Sequence, residues 1–509
     1  MSRPIGWVTA PLAGVLAACS FAPTYRIPDS PPPAPVYQEA GDWQQAQPLD
    51  TEARGSWWMP FHDKTLDTLE AKVDDANQNL KGGFARLQEA RAATRIARTN
   101  LFPTLTAGAS ASRQRISQNS PTYVKGSEPT FNDFDLEADL SYEIDLWGRV
   151  RNTVNAAKAN QQASAADLAT LNLTLHAELA TDYYALRSED AEQGLLEKTV
   201  EDYSKSLELT QSLYKGGAAA VADVDQAQAQ LETARTQAAD IALARAQTEH
   251  AIAVLIGENP SRFRLDSNPL AVDAAPPPVD LGLPSTLLER RPDVAAAERR
   301  VAAANAQIGV ARAAYFPVFS LAAAAGLASA SASTWLTAPS RSWSVGPQGV
   351  LTLFDAGRHR AETAQARAQY DEQVADYRNT VLTAYREVED NLAALHRLEE
   401  ESGTESAAVT ATAKALEQAR YRYRAGLVTY LEVATTETTA LQAELSRVNI
   451  LNRRMNASIL LIKALGGGWR TQLEQDAGGH KTALGLVSLV ASRASDNGDS
   501  YHRAIDAAQ

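Results

Sequence analysis

The sequence predicts a mainly helical chain of two tandem repeats, each containing a helix, a β-hairpin and a long helical hairpin. The first observation is an internal repeat, since Gly148-Arg149 returns as Gly357-Arg358 after 209 residues. The second is the unbroken alternation of apolar and polar residues from Phe134 to Trp147, which is typical of a β-strand. The third is the spacing of small and apolar residues by three and four over long stretches, which is typical of coiled-coil helices.

Composition favours long helices and argues against several classes of function. The chain has 509 residues and a formal net charge of -13, and such an acidic protein is unsuited to nucleic acid as a partner. Aromatic residues make up 7% of the chain, whereas a large soluble enzyme core normally contains more. No run of about 20 apolar residues occurs, so the sequence predicts no transmembrane helix.

The N-terminus has the pattern of a targeting segment, and we expect residues 1–18 to be a signal peptide. The segment ends at Leu16-Ala17-Ala18-Cys19, which resembles a bacterial lipobox, and Cys19 is the single Cys of the chain. We therefore expect Cys19 to be lipidated and to become the mature N-terminus, with a plain secretory signal as the alternative. Ser20 follows the Cys, and by resemblance to bacterial lipoproteins the lack of an Asp at this position favours sorting to the outer membrane. One lipid chain anchors only marginally, so a second membrane attachment is expected.

A tether and a helix come next. Residues 19–56 are rich in Pro and polar residues and predict a lipidated N-terminal tether. The first repeat, residues 57–257, begins with a helix for which Asp63 is a candidate N-cap. Apolar residues then recur at helical spacing to about Asn100, and the sequence predicts one continuous helix that ends before Phe102-Pro103.

The helix is followed by a predicted β-hairpin, formed by the alternating stretches 104–112 and 134–147 with a polar loop between them. One face of the second strand is apolar and the other is acidic. A half-buried strand of a soluble sheet is one interpretation, and a transmembrane strand is the other. In a membrane barrel the acidic residues would line the lumen, unless Arg113 and Arg115 neutralise them across the hairpin. The candidate lumen residues are Asp135, Glu137, Asp139 and Glu143.

A long helical hairpin completes the first repeat, with helices predicted to about Tyr214 and from about Ala220 to Ile256. Residues 258–284 predict a linker or equatorial segment. The second repeat, residues 285–468, is expected to copy the first, with its second strand at 343–354 and an uncharged face there. Residues 469–509 predict a mobile C-terminal tail in the periplasm.

Two β-hairpins give four strands, which are too few to close a membrane barrel, and open edges are not tolerated in lipid. The chain must therefore oligomerise if these are membrane strands. A dimer would give eight strands and a filled interior, whereas a trimer would give twelve and leave room for a pore.

Several motifs, in this order and spacing, are similar to one protein family. The chain resembles the TolC/OprM-type outer membrane factors of tripartite efflux pumps, particularly the NodT-like lipoprotein branch, from about residue 16 to 468. The matching stretches are Leu16-Ala17-Ala18-Cys19, Trp57-Trp58 with Phe61 and Asp63, Asp145-Leu146-Trp147-Gly148-Arg149, Glu289-Arg290-Arg291-Pro292-Asp293-Val294, Tyr315-Phe316-Pro317, Phe354-Asp355-Ala356-Gly357-Arg358 and Tyr421-Arg422-Tyr423-Arg424-Ala425-Gly426.

The resemblance implies a homotrimer with a twelve-stranded outer-membrane β-barrel that is continued by a periplasmic α-helical barrel. It implies a channel that exports small molecules such as drugs. The implied partners are a periplasmic adaptor (membrane fusion protein), an inner-membrane RND pump and outer membrane lipid. No cofactor, metal or catalytic residue is implied. The seven His lack metal-ligand spacing, and the sequence has neither a phosphate loop nor a nucleophile elbow.

By the same resemblance, the turns of the two helical hairpins dock the adaptor, although their glycines are also expected as helix C-caps. The family gate is often narrowed by acidic residues beyond the second turn, but the matching Asp is missing here. A solvated helix face is the alternative for the remaining acids. The candidate tip residues are Tyr214, Lys215, Gly216, Gly217, Ala218, Tyr423, Arg424, Ala425, Gly426 and Leu427, and the candidate gate residues are Asp223, Asp225 and Glu432.

Two other functions fit the same sequence. The first is the outer-membrane component of a type I protein secretion system, which would keep the fold and change the cargo. The second is a periplasmic coiled-coil lipoprotein scaffold without a pore, against which the acidic and apolar alternation at 134–147 argues.

Overall fold

The computed structural model of the chain describes residues 20–32, 34, 37–38, 56–279 and 291–467. The predicted signal peptide, Cys19 and the C-terminal tail lie outside the described residues. The chain divides into two compact units. The strand unit comprises Met1–Pro31, Lys81–Leu168 and Ala296–Leu382, and the tip unit comprises Pro32–Leu80, Ala169–Ala295 and Thr383–Gln509.

The strand unit contains a four-stranded antiparallel sheet in the order β1-β2-β3-β4. The two hairpins pair with each other through β2 and β3, so β1 and β4 are the edges of the sheet. The strands are β1 (Thr104–Arg115), β2 (Thr130–Ile144), β3 (Val318–Ser329) and β4 (Arg341–Val350).

The helices confirm the repeat that the sequence predicts. The two longest helices have 67 residues each, and the helix that returns from each of them has 35. Two short 3-10 turns, Met59–Phe61 and Ala338–Ser340, complete the described elements. The α-helices are α1 (Lys64–Ala76), α2 (Gln78–Thr99), α3 (Arg149–Lys215), α4 (Val221–Leu255), α5 (Pro292–Ala313), α6 (Arg358–Arg424) and α7 (Tyr430–Ala464).

The prediction of one continuous first helix was wrong, because it breaks at Asn77 into α1 and α2. Asp63 is the N-cap of α1, as predicted, and accepts hydrogen bonds from the N–H groups of Thr65 and Leu66. Asn77 has an extended backbone, and its Nδ2 donates to the carbonyl oxygen of Leu255 at 2.7 Å. Its Oδ1 accepts from the N–H of Leu80 and so caps the start of α2.

The second strand of each hairpin ends earlier than predicted. β4 stops at Val350 rather than at residue 354, because its last partner is Val318 and the next residue of the facing strand is Pro317. Proline has no N–H to extend the ladder. Similarly, β2 stops at Ile144, whose carbonyl oxygen accepts from the N–H of Leu146 in a tight turn.

The larger hydrophobic core of the tip unit gathers Trp57 and Trp58 with residues of α1, α3 and the segment after α4. Gly257 follows α4 with a φ of +70°, and a Cβ at this position would lie 2.6 Å from the carbonyl oxygen of Ala76. The turn can therefore approach the end of α1 only because residue 257 is glycine.

A charged cluster is buried in the same core. His176 on α3 lies between Glu70 and Asp74 of α1, and its Nε2 is 3.1 Å from Asp74 Oδ1. Its Nδ1 is hydrogen-bonded to Glu70, and its ring stacks on Trp58 with the centroids 4.6 Å apart. Both His176 and Glu70 are almost completely buried.

Candidate functional site

The acidic residues of β2 lie on one face of the sheet among small neighbours. The register pairs Glu137 with Gly108 of β1 and with Gly326 of β3, so no large side chain flanks this carboxylate. Asp135 and Asp139 likewise face Ser, Thr or Ala on both sides. Because these neighbours are small, they do not cover the three carboxylates, which can interact with the solvent on that side of the sheet.

The predicted neutralisation by Arg113 and Arg115 is wrong. The register pairs these residues with Asn132 and Thr130, which places them on the opposite face from Asp135. Among the described residues, no ion pair involves Asp135, Glu137 or Asp139.

Glu143 differs from the other three candidate lumen residues because it has a cationic partner. Arg149 at the start of α3 binds it with two hydrogen bonds, one of them 2.8 Å from Nε to Oε1. Its charge is therefore locally compensated. The acidic face therefore consists of Asp135, Glu137 and Asp139, of which Asp139 is exposed and the other two are half-buried.

The other face of the sheet is apolar and exposed in the single chain. Leu105 on β1 is 70% exposed and Trp343 on β4 is 77% exposed, and the register places both on the side of Leu140. An apolar face on one side and an acidic face on the other is the pattern of a strand between lipid and water.

An Asp at the junction from each β-hairpin to its long helix accepts hydrogen bonds from backbone N–H groups near the helix start, at different offsets in the two repeats. Asp145 accepts hydrogen bonds from the N–H groups of Val150 and Arg151 at the start of α3. In the second repeat, Asp355 accepts from the N–H groups of Gly357 and His359. These carboxylates accept hydrogen bonds from backbone N–H groups that have no carbonyl partner in the first turn of a helix.

The segment after the predicted lipidation site is folded onto this junction. Phe21 stacks on Phe316 with the ring centroids 4.4 Å apart, and Trp147 packs against both rings. The indole N–H of Trp147 donates to the carbonyl oxygen of Pro317 at 2.7 Å. The first described residues therefore lie where β2 and β3 meet the helices.

The two predicted tips have the same backbone geometry. The N–H of Ala218 donates to the carbonyl oxygen of Leu213 at 2.8 Å, and the N–H of Leu427 donates to that of Arg422 at 3.0 Å. Both turns have a glycine with positive φ, Gly217 at +77° and Gly426 at +71°. Each turn is a Schellman C-cap, a geometry that favours glycine at the position with positive φ.

The equivalent tyrosines of the two tips differ in solvent exposure. Tyr214 is 47% exposed, whereas its counterpart Tyr423 is 7% exposed and packs against Tyr430. Tyr423 also donates from its hydroxyl to Thr210 Oγ1 at 3.2 Å. Tyr423 therefore belongs to the core between the two hairpins rather than to the outer surface of the tip.

The three candidate gate residues make different contacts. Asp223 accepts from the N–H of Ala220 and so caps α4, and Glu432 forms an ion pair with Arg422 at 2.6 Å. Asp225 is exposed. Two of the three candidate gate carboxylates are therefore bound within their own hairpins.

Sequence reasoning missed the buried carboxylate of Glu437. It binds Arg420 of α6 at 2.9 Å, and it also accepts from Ser206 of α3 and lies 3.4 Å from Gln230 of α4. Burial raises the pKa of Glu437, against the lowering by its hydrogen bonds to Arg420. The available signal was its position, because Glu437 follows the buried pair Val433 and Ala434 at coiled-coil spacing.

Within the described ranges, no helix combines the length and the apolar composition needed to cross a membrane. The same residues contain no group of His, Cys, Asp and Glu arranged to hold a metal ion.

Comparison with known proteins gives one consistent result. The family model described as "Outer membrane efflux protein" matches residues 72–258 and 283–467. The toluene efflux pump outer membrane protein TtgF of Pseudomonas putida is 33% identical over 476 residues, covering 91% of this chain and 97% of that protein. The outer membrane protein OprJ of Pseudomonas aeruginosa is also 33% identical, covering 92% and 97%.

A solved structure agrees with these relatives. The outer-membrane channel OprN has a TM-score of 0.81 and 31% identity to this chain, with 89% of this chain and 100% of that chain covered.

Proposed function

The chain belongs to the outer membrane efflux protein family, and we propose that it works as a homotrimer that exports small molecules such as drugs and solvents. It is an outer-membrane channel of a tripartite efflux pump, it extends into the periplasm, and it is not an enzyme.

The proposal of a trimer is supported by the two edge strands of the four-stranded sheet. β1 and β4 each pair on one side only within the chain. In lipid, every backbone N–H and carbonyl group needs a partner, so β1 of one copy must pair with β4 of the next. Three copies supply twelve strands, which close a barrel wide enough for a pore. In this proposal the long helical hairpins form the periplasmic α-helical barrel.

Cross-linking tests the trimer. In native membranes, a short lysine-reactive cross-linker should give a ladder that ends at three copies. If only monomers and dimers appeared while the protein remained in the outer membrane, the twelve-stranded barrel would be excluded.

The structure of the two tips supports a proposal about the partners of this channel in the pump. The open turns around Gly217 and Gly426 offer bare backbone to an incoming helical tip, which suits a periplasmic adaptor that joins this channel to an inner-membrane RND pump. The relative named as a toluene efflux pump component favours small-molecule export over protein secretion. A sheet with one apolar exposed face argues against the scaffold without a pore.

Lipidation of Cys19 is proposed as the second membrane attachment. Its support is the docked position of the next residues, since Phe21 stacks beside Trp147 where the strands meet the helices. Trp side chains favour the membrane–water interface, which is where a lipid on Cys19 has to begin.

Charge selectivity tests the lumen assignment. If Asp135, Glu137 and Asp139 line the pore, three copies place about nine carboxylates around its wall, so the channel should prefer cations. The variant Asp135→Asn, Glu137→Gln, Asp139→Asn should lower the K⁺-to-Cl⁻ permeability ratio to near one, measured from reversal potentials in a KCl gradient. The difference should grow at low salt, where screening is weaker.

The double variant Glu143→Gln, Arg149→Gln is the matched control because it removes an ion pair and leaves the net charge unchanged. It should change the ratio less than the triple variant does. Equal selectivity of the wild type and the triple variant would mean that the acidic face does not line the conducting path.

A further inference from the structure

A cavity of about 530 Å³ lies in the tip unit, between one face of α1 and the segment that follows α4. On α1, the lining residues Lys64, Thr68 and Lys72 recur at every fourth position and therefore share a face. The volume falls within the range of about 300–1,000 Å³ that is common for small-molecule sites. The cavity is therefore large enough for a small organic molecule.

The lining of this cavity is mainly cationic. Of the described residues that line it, Lys64, Lys72, Arg262 and Arg264 are basic, and Glu258 alone is acidic. Lys72 Nζ lies 2.7 Å from Glu258 Oε1, so these two charges offset each other. The other three cations remain in excess, and a concave surface with one sign of charge concentrates ions of the opposite sign.

The three remaining cations are little neutralised within the chain. Among the described residues, neither Lys64 nor Arg262 forms an ion pair. Arg264 Nη1 lies 3.7 Å from Glu249 Oε2, but Arg245 of α4 lies 3.6 Å from Oε1 of the same carboxylate. One carboxylate therefore serves two guanidinium groups, and the cavity keeps its positive charge.

The cavity also has an apolar part, and its charges are spread out. Leu69 and Phe263 line it and are buried. Lys64 and Lys72 are two turns apart on α1, which separates their Cα atoms by about 12 Å along the helix axis. An ion with its charge at one centre, such as phosphate, needs donors that converge on one point. A molecule with separated charges and an apolar middle fits this arrangement better.

We propose that this cavity binds a small organic anion with two or more carboxylate groups on an apolar skeleton. The guanidinium group of Arg262 can bind one carboxylate through two parallel N–H donors, and Lys64 can bind another as a point charge. The skeleton would cover Leu69 and Phe263. Glu258 provides an internal example, since its carboxylate is already bound by Lys72 in the same cavity. The inference does not depend on the proposed efflux function, because the cavity is separate from the tips and the sheet.

Isothermal titration calorimetry of the purified full-length channel in detergent tests the site, with citrate as the probe. The ionic strength is held constant with NaCl so that screening does not change between titrations. Citrate should bind saturably, with one molecule per chain. Acetate, which has a single carboxylate, and inorganic phosphate should each bind at least about ten-fold more weakly, because neither reaches separated cations.

Two variants remove cations from the cavity. Arg262→Gln should weaken citrate binding about ten-fold, and Lys64→Gln should weaken it about three-fold, because a guanidinium group makes the stronger paired contact. Both residues are exposed, so both variants should fold. Lys198→Gln is the matched control. It removes one positive charge from an exposed position of α3 outside the cavity and should change the affinity by less than about two-fold.

Removing the internal carboxylate should have the opposite effect. Glu258→Gln frees Lys72 and should make citrate bind about five-fold more tightly. Glu197→Gln removes the same charge from an exposed position of α3 outside the cavity, so it should change the affinity by less than about two-fold.

Three results would overturn the inference. The first is an absence of saturable citrate binding. The second is tighter binding of phosphate than of citrate, which would exclude a polycarboxylate as the ligand class. The third is equal weakening by Arg262→Gln and Lys198→Gln, which would mean that the overall charge of the protein, rather than the cavity, attracts the probe.

Discussion

Replacing His176 with Leu is expected to lower the free energy of unfolding by about 3–5 kcal/mol at neutral pH. The substitution leaves Glu70 buried without its cationic partner, and an uncompensated charge inside a protein is far costlier than the lost contact alone. Thermal unfolding of the purified channel in detergent, followed by circular dichroism, measures the loss.

The double variant with Glu70→Leu and His176→Leu is the control. It removes both buried charges, so it should be more stable than the single variant. If the single and double variants unfolded at the same temperature, packing against Trp58 rather than charge would explain the effect.

The pH dependence follows from the same cluster. Burial alone lowers the pKa of His176, but its hydrogen bonds to Asp74 and Glu70 and their charges outweigh burial and raise the pKa to about 9. A raised pKa means that the stabilisation is complete below about pH 6.5, the unfolded value, and is lost as the pH rises through about 9. The stability difference between wild type and His176→Leu should therefore shrink between pH 7 and 10.

The raised pKa of Glu70 predicts a second effect of pH on stability. Burial raises the pKa of Glu70 to about 7, against the lowering by His176. Without His176, this carboxyl should take up a proton more readily, so the single variant should be less impaired in acid than at neutral pH. A difference between wild type and variant that did not change with pH would contradict the ion pair.

Gly426→Asp is expected to reduce drug resistance to that of a host without the pump, while trimers remain intact in the outer membrane. A Cβ at Gly426 or Gly217 meets nothing within 4 Å in the chain itself, so the new side chain can collide only with a docking partner. It also adds a charge to a surface proposed to receive a helical tip. Minimum inhibitory concentrations in an efflux-deficient host measure the loss, and cross-linking monitors the trimer.

Gly126→Asp is the matched control for backbone strain. Gly126 lies in the loop between β1 and β2 with a φ of +101°, and a Cβ there also meets nothing within 4 Å. Its substitution should cost similar strain and leave resistance unchanged. Full resistance with Gly426→Asp, or an equal loss with Gly126→Asp, would refute the docking assignment for this turn.

The features that were predictable from sequence are those with a local or periodic signal. The tips were found because Gly217 and Gly426 mark helix ends, and the long helices because the pattern of the first repeat returns in the second. The acidic face of β2 was also visible, since alternation by two fixes the face of each residue once the strand is known.

Most features that were missed depend on residues far apart in the chain. Apolar spacing continues across Asn77, and the break is fixed by a bond to Leu255, which is 178 residues away. The wrong pairing of Arg113 was avoidable, because alternation continued from Ala111 already puts Arg113 on the apolar face. Glu437 looks like any solvated acid until Arg420 and Gln230 are placed beside it.

The equal lengths of the helices in the two repeats restrict how such a chain can evolve. One residue inserted within α3 would turn everything beyond it by about 100° and advance it by about 1.5 Å. Tyr203 and Leu207 would then rotate out of the core that they share with Tyr423 of the other repeat. We therefore expect insertions and deletions to be destabilising in the helices and tolerated in the hairpin loops. The two β-hairpin loops, residues 116–129 and 330–340, already differ in length, whereas both pairs of helices have remained matched.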